Sequence, residues 1–183
     1  MEKLEMKLDT GLDRTLNALV GWVRTILSQE QKKTDFNPTS GMAALVSASP
    51  ACSRVIKFVN YQVDKIRDSM DGHNIEAVLL ELGICLHRVI YDHLQQFTYS
   101  SSGVMSVICD VQEYRKCVGE FKVTAVNALF DTLHAMCNLL ILPPENLRGA
   151  MQGDQLAALD RTILDNWIQL RTDYKSERLG SYI

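Results

Sequence analysis

Residues 74–97 read NIEAVLLELGICLHRVIYDHLQQF. Ile75, Val78, Leu79, Leu82, Leu86, Val89, Ile90, His93 and Phe97 recur mainly at spacings of three and four. That repeat gathers side chains on one face of an α-helix, whereas a strand needs alternation. Asn74 is the expected cap of this helix. Gly83 lies inside the stripe, where glycine costs about 1 kcal/mol relative to alanine. A close approach by another helix would offset that cost.

The same reading extends in both directions. Towards the N-terminus, Cys52, Val55, Val59, Val63, Ile66 and Met70 form a second stripe. Ser49-Pro50 opens it as an N-cap followed by proline in the first turn, and Asp71-Gly72 closes it. Before it, Leu8, Leu12, Leu16, Leu19, Val23 and Ile26 predict a long helix over about residues 3–29. Loops are expected over 30–48, rich in Asp, Asn, Pro, Ser and Gly, and over 99–103, which includes Ser100-Ser101-Ser102-Gly103. Two further helices follow, at about 104–118 and 122–141. Pro143-Pro144 stops the second, because proline lacks an amide hydrogen and clashes with the preceding turn. A last helix over about 154–177 is predicted from Leu156, Leu159, Ile163, Trp167, Leu170 and Tyr174. No alternating strand pattern is visible. The string Leu-Asp-Arg-Thr occurs at both Leu12 and Leu159, but two copies do not make a repeat array.

The expected fold is therefore all-α: an elongated stack of antiparallel amphipathic helices, forming one helical domain over residues 1–183. Composition agrees. Ten glycines and four prolines in 183 residues are fewer than the roughly one in eight of an average chain, so turns are scarce. A hydrophobic share of 46% and a charged share of 22% are those of a globular protein, and a chain this long can bury enough surface to fold without disulfide or metal. The net charge of −3 argues against a general nucleic-acid binder, which needs surplus Lys and Arg. Five cysteines, mostly on apolar positions, read as buried thiols in a reducing compartment. The charged N-terminus is unlike a secretory signal, and no apolar run reaches the ~18 residues of a membrane span. The expected location is cytoplasmic, peripheral to a membrane at most.

Searching for chemistry gives little. The chain has no phosphate loop ending in Gly-Lys-Ser/Thr, no GxSxG elbow, no HExxH and no CxxC. His87 and His93 are six apart on one helix and so face different ways, which favours packing over a metal or proton-transfer site. Cys109 and Cys117 have Asp110 and Glu113 as neighbours and gain no cation that would lower a thiol pKa; they read as two core thiols. Trp22 and Trp167 read as core or interface anchors. No cofactor, metal or small-molecule substrate is expected, and no enzymatic activity. The candidate docking face is Arg54, Lys57, Tyr61 and Lys65, opposite the apolar stripe of the second helix, where an acidic partner or acidic lipid headgroup could sit. Asp64 and Asp68 share that side and dilute its field. A similar mixture surrounds Arg115, Lys116 and Lys122.

Several strings also resemble a known family. Gly11–Leu27, Glu76–Gly83, His87–Phe97, Ile108–Cys117, Leu129–Leu140, Asp154–Arg161 and Gln169–Leu179 are similar, in order, to the C-terminal part of the sec-ten subunits of the exocyst (exocyst component 5). The stretch Asn37–Ala51 and the residues after Leu179 diverge. The resemblance implies a rod of helical bundles in a tethering complex that holds secretory vesicles at the plasma membrane before fusion. It implies no catalysis and no cofactor. Its implied partners are other exocyst subunits, exocyst component 6 among them, together with small GTPases of the Arf class and a peripheral membrane contact. It transfers no compact site motif onto residues here. It leaves open a fragment, a partial gene model or a short paralogue, and a stand-alone helical adaptor is the alternative reading.

Overall fold

The computed structural model describes residues 2–38, 47–70 and 72–182, with residues 2–10 and 73 described by backbone alone. Seven α-helices follow one another: α1 Glu2–Glu30, α2 Pro50–Ser69, α3 Gly72–Leu94, α4 Val104–Gly119, α5 Thr124–Leu139, α6 Pro144–Met151 and α7 Arg161–Ile168. A 3-10 turn over Leu179–Ser181 closes the described chain. Among the described residues there is no strand, only an isolated bridge between Tyr99 and Arg171.

Ser49 caps α2 through its hydroxyl, which accepts from the Cys52 amide, and Pro50 occupies the first turn where no amide is needed. Asn74 does not cap α3. That helix already begins at Gly72, which places Asn74 inside its first turn.

The neighbours α1 and α2, and α4 and α5, pack antiparallel. The Arg54–Glu30 ion pair joins the end of α1 to the start of α2, and Arg115 pairs with Asp131 across the α4–α5 turn. Across the hairpins the packing is parallel. The thiol of Cys117 on α4 donates to Asn60 on α2, and Arg67, further along α2, donates to the Glu120 carbonyl just beyond α4. Gly83 and His87 on α3 meet Val126 and Phe130 on α5 in the same order. The α2–α3 hairpin thus lies on the α4–α5 hairpin, α2 over α4 and α3 over α5, and α1 closes the far side against α2 and α3.

Gly83 shows why the stripe tolerates a glycine. A Cβ built there would lie 2.4 Å from a Val126 methyl, so the missing side chain lets α3 and α5 approach. The core runs through the stack, with Leu79, Leu86, Ile90, Val111, Phe130 and Leu133 almost wholly buried.

The connection after α1 contributes to this core. Phe36 is fully buried, its ring 5.2 Å from Phe97 and 5.3 Å from Tyr99, and its carbonyl accepts from the Ser100 amide. A Cβ on Gly103 would sit 1.9 Å from that carbonyl, so glycine is required where the two connections cross.

The C-terminal quarter departs from expectation. Pro144 does not merely stop α5. It opens α6 at a position where proline's fixed φ suits the first turn. The helix expected over 154–177 is instead a run of turns, then α7, then turns again. Asp160 starts α7 by accepting from the Thr162 amide at 2.8 Å. After Ile168 the backbone turns outward to bond Tyr99, which donates to Leu170 O and accepts from Thr172 N. The buried residues of α7 are Leu164, Trp167 and Ile168, while Ile163 is 38% exposed. Of the expected stripe, Leu156 and Trp167 are buried and Leu159, Leu170 and Tyr174 pack against the core, so only Ile163 is misplaced.

Candidate functional site

The outer face of α2 is formed because its opposite side is used up by packing. Cys52, Val55, Val59 and Val63 point into the core, leaving Arg54, Lys57, Tyr61 and Lys65 on the exposed side. Arg54 pairs with Glu30 on α1. Tyr61 is 58% exposed, and the Lys65 ammonium lies 5.5 Å from its ring centroid, within cation–π range. Lys57 forms no ion pair among the described residues and edges a groove of about 550 Å³ between α2 and α4, together with Ser53, Ile56, Cys109, Glu113 and Lys116. In that groove Lys116 and Glu113 pair at 2.5 Å. Asp64 and Asp68 are exposed on the same helix. The result is an aromatic ring set among lysines and aspartates of mixed sign, suited to a polar protein contact more than to a strongly anionic surface.

Beneath the N-terminus of α2 lies a polar cluster that periodicity does not reveal. Asp110 on α4 is only 1% exposed. Its carboxylate accepts from the Ser49 amide at 2.6 Å and from the Ser49 hydroxyl at 2.8 Å, with Gln31 Oε1 3.2 Å from that hydroxyl. Burial raises the Asp110 carboxyl to about 6, against the opposing effect of the two Ser49 hydrogen bonds. The cluster ties the end of α1, the cap of α2 and the middle of α4 together. Its only sequence signal was an acid on the buried stripe of α4.

The buried thiols are held protonated. All five cysteines are free, and Cys52, Cys117 and Cys137 are buried. Burial raises all three, Cys117 to about 11, and Asp110 adds to the effect at Cys52 and Cys137. Cys109 is half-buried on the α2–α4 groove rather than in the core.

His87 stacks near Tyr91 and meets Phe130 edge-on, while His93 meets Phe97 edge-on at 4.9 Å. Burial lowers both, His93 to about 4. Trp167 is a core anchor, its indole N–H donating to Met136 O at 2.9 Å. Trp22 on α1 is 62% exposed. Among the described residues, no three or more His, Cys, Asp or Glu side chains are grouped to hold a metal ion. Among the described residues, no helix is long and apolar enough to cross a membrane.

Stacked antiparallel hairpins with one closed core define an α-helical bundle. A family model described as "Exocyst complex component Sec10-like, alpha-helical bundle" matches residues 1–182, and the chain belongs to that family. It is 53% identical over 182 residues to exocyst complex component 5 of Homo sapiens, covering all of this chain and 26% of that protein. The Drosophila melanogaster protein of the same name is 45% identical over 183 residues, again with 26% of its length covered. Exocyst complex component SEC10b of Arabidopsis thaliana is 31% identical over 182 residues, with 22% covered. The chain thus spans about a quarter of the length of the curated relatives it matches.

Proposed function

We propose that this chain is a non-enzymatic helical module of the exocyst, acting through protein contacts in the docking of secretory vesicles at the plasma membrane. The observation that carries this reading is the family match, which runs across the whole chain in step with the hairpin stack. In this reading the module works in the cytoplasm, as one unit over residues 1–183. Its partners are other exocyst subunits, with component 6, an Arf-class small GTPase and a peripheral membrane contact as further proposals. The outer face of α2, with Lys57, Tyr61 and Lys65 exposed and Arg54 at its edge, is the proposed docking surface.

Overexpression in a secreting cell tests the reading. A module that binds its partners without completing a tether competes with the full-length subunit, so secretory vesicles accumulate beneath the plasma membrane. Arg54→Glu with Lys57→Glu changes only exposed side chains, so the fold survives. Loss of competition in that double variant supports the α2 face. Equal competition moves the surface elsewhere. If neither protein alters secretion or associates with exocyst subunits, the tethering reading fails and a stand-alone adaptor replaces it.

A further inference from the structure

Between α6 and α7 the turns over 152–160 carry the chain around a trough of about 350 Å³. Buried Met151, Leu156 and Leu164 line it, with the small side chain of Ala157. Arg148, near the end of α6, and Arg161, the first residue of α7, stand at its edge. Both are exposed, and neither forms an ion pair or a side-chain hydrogen bond among the described residues. Their acidic neighbours do not engage them. Asp160 is committed to the Thr162 amide, whose hydrogen bond holds its carboxyl below the usual range. Arg54, Arg115 and Arg171 each pair with a carboxylate, while Arg14, Arg24, Arg88 and Arg178 do not among the described residues; what sets Arg148 and Arg161 apart is the apolar trough they share. The trough therefore combines an apolar lining with two free guanidinium forks, each able to take a carboxylate bidentately.

We propose that this trough is a second docking site, which receives an acidic amphipathic segment of a partner protein. One or two apolar side chains of that segment enter the trough, and its Asp or Glu carboxylates meet Arg148 and Arg161. The volume lies at the small end of the roughly 300–1,000 Å³ range of ligand pockets, enough for side chains and too little for a folded element. Charge chooses the partner class. Recognition of anionic membranes takes clusters of about 4–8 basic residues, whereas here two arginines flank an apolar slot with Glu145 and Asp154 close in sequence. The site is independent of the α2 face.

Fluorescence anisotropy of the full chain tests this with a pool of fluorescein-labelled peptides, each carrying Leu or Phe flanked by Asp and Glu. The expected result is saturable binding that weakens at least tenfold in Arg148→Glu with Arg161→Glu and is unchanged in Arg54→Glu with Lys57→Glu. Peptides with Lys in place of the acids do not bind. Should the charge reversal lower the melting temperature, Arg148→Gln with Arg161→Gln repeats the measurement and is expected to show the same loss. The proposal is overturned by absence of saturable binding or by undiminished affinity in the Gln pair. It is equally overturned if phosphatidylserine vesicles, and not the peptides, bind in a manner that depends on these arginines.

Discussion

Helix α3, 23 residues long, and the longer, less apolar segment from Pro143 to Leu179 are ordered in different ways. In α3 one continuous face is buried, from Val78 through Leu82, Leu86 and Ile90 to Leu94, and the helix follows from that stripe. The C-terminal segment makes two short helices and several turns, held by scattered buried side chains such as Leu147, Leu156, Leu164, Trp167 and Leu179 together with a few polar bonds. Trp167 donates to Met136 O, and the Arg171 guanidinium donates to Leu142 O at 2.6 Å and to Asp173 at 2.7 Å. The carbonyls that receive these bonds lie at and beyond the C-terminus of α5, where a helix leaves acceptors unpaired and welcomes positive charge. An extended stripe spreads its stability over many contacts. A segment of short helices and turns buries scattered side chains instead, and Trp167 is the largest of them.

The largest expected effect falls on this tryptophan. Trp167→Ala should destabilise by about 3–5 kcal/mol. Hydrogen exchange should show residues 161–179 losing protection before α2–α5. Simultaneous loss along the whole chain would erase the contrast between the two regions. Leu86→Ala on α3 should cost about 2–5 kcal/mol and lower protection throughout the stack. A loss below about 1 kcal/mol would mean the stripe is not core.

Acid titration sharpens the picture through two buried groups of opposite sense. Asp110 is raised from 3.8 to about 6, so its contribution is full below 3.8 and is lost as pH rises through about 6. His93 is lowered from 6.5 to about 4, so its contribution is full above 6.5 and is lost as pH falls through about 4. Each amounts to something on the order of 3 kcal/mol, and between pH 4 and 6 they largely cancel. Asp110→Asn should therefore make stability fall on acidification across that window, and His93→Gln should make it rise. Denaturant melts at several pH values check both signs. Parallel slopes in the two variants would contradict the assignment.

The smallest effects have opposite signs at two glycines. Gly83→Ala drives a Cβ against Val126 and should cost about 1–3 kcal/mol through overpacking. Gly149→Ala in α6 meets nothing within 4 Å and should stabilise by about 0.5–1 kcal/mol. Thermal melts of both variants decide this. Stabilisation by Gly83→Ala would mean that α3 and α5 are not in close contact.

The same contrast explains what the sequence disclosed. Helices α1 to α3 were legible to within a few residues because each carries a long apolar stripe, and α4 and α5 because the 99–103 loop and Pro143-Pro144 bound them. Gly83 was legible as a helix contact because its propensity cost demands compensation. Helix α6 was missed because it is two turns long and opens on the proline that reads as a terminator. The long helix expected over 154–177 failed because Leu156, Trp167 and Tyr174 keep a helical period while the backbone between them turns. The roles of Phe36, Asp110 and Arg171 were not legible, for a common reason. Each owes its role to a partner far away in the chain, and no local pattern encodes that. The exposed side of α2 was legible as a surface from its charges. Which molecule it meets was not, because mixed charges on a solvated helix carry no partner's shape.

Affinity purification of the tagged chain from a secreting cell, followed by mass spectrometry, addresses the proposed function most directly. Other exocyst subunits are expected to co-purify with the native chain and to be depleted with Arg54→Glu, Lys57→Glu at equal expression and equal melting temperature. Recovery of the chain without any exocyst subunit would contradict the proposed function.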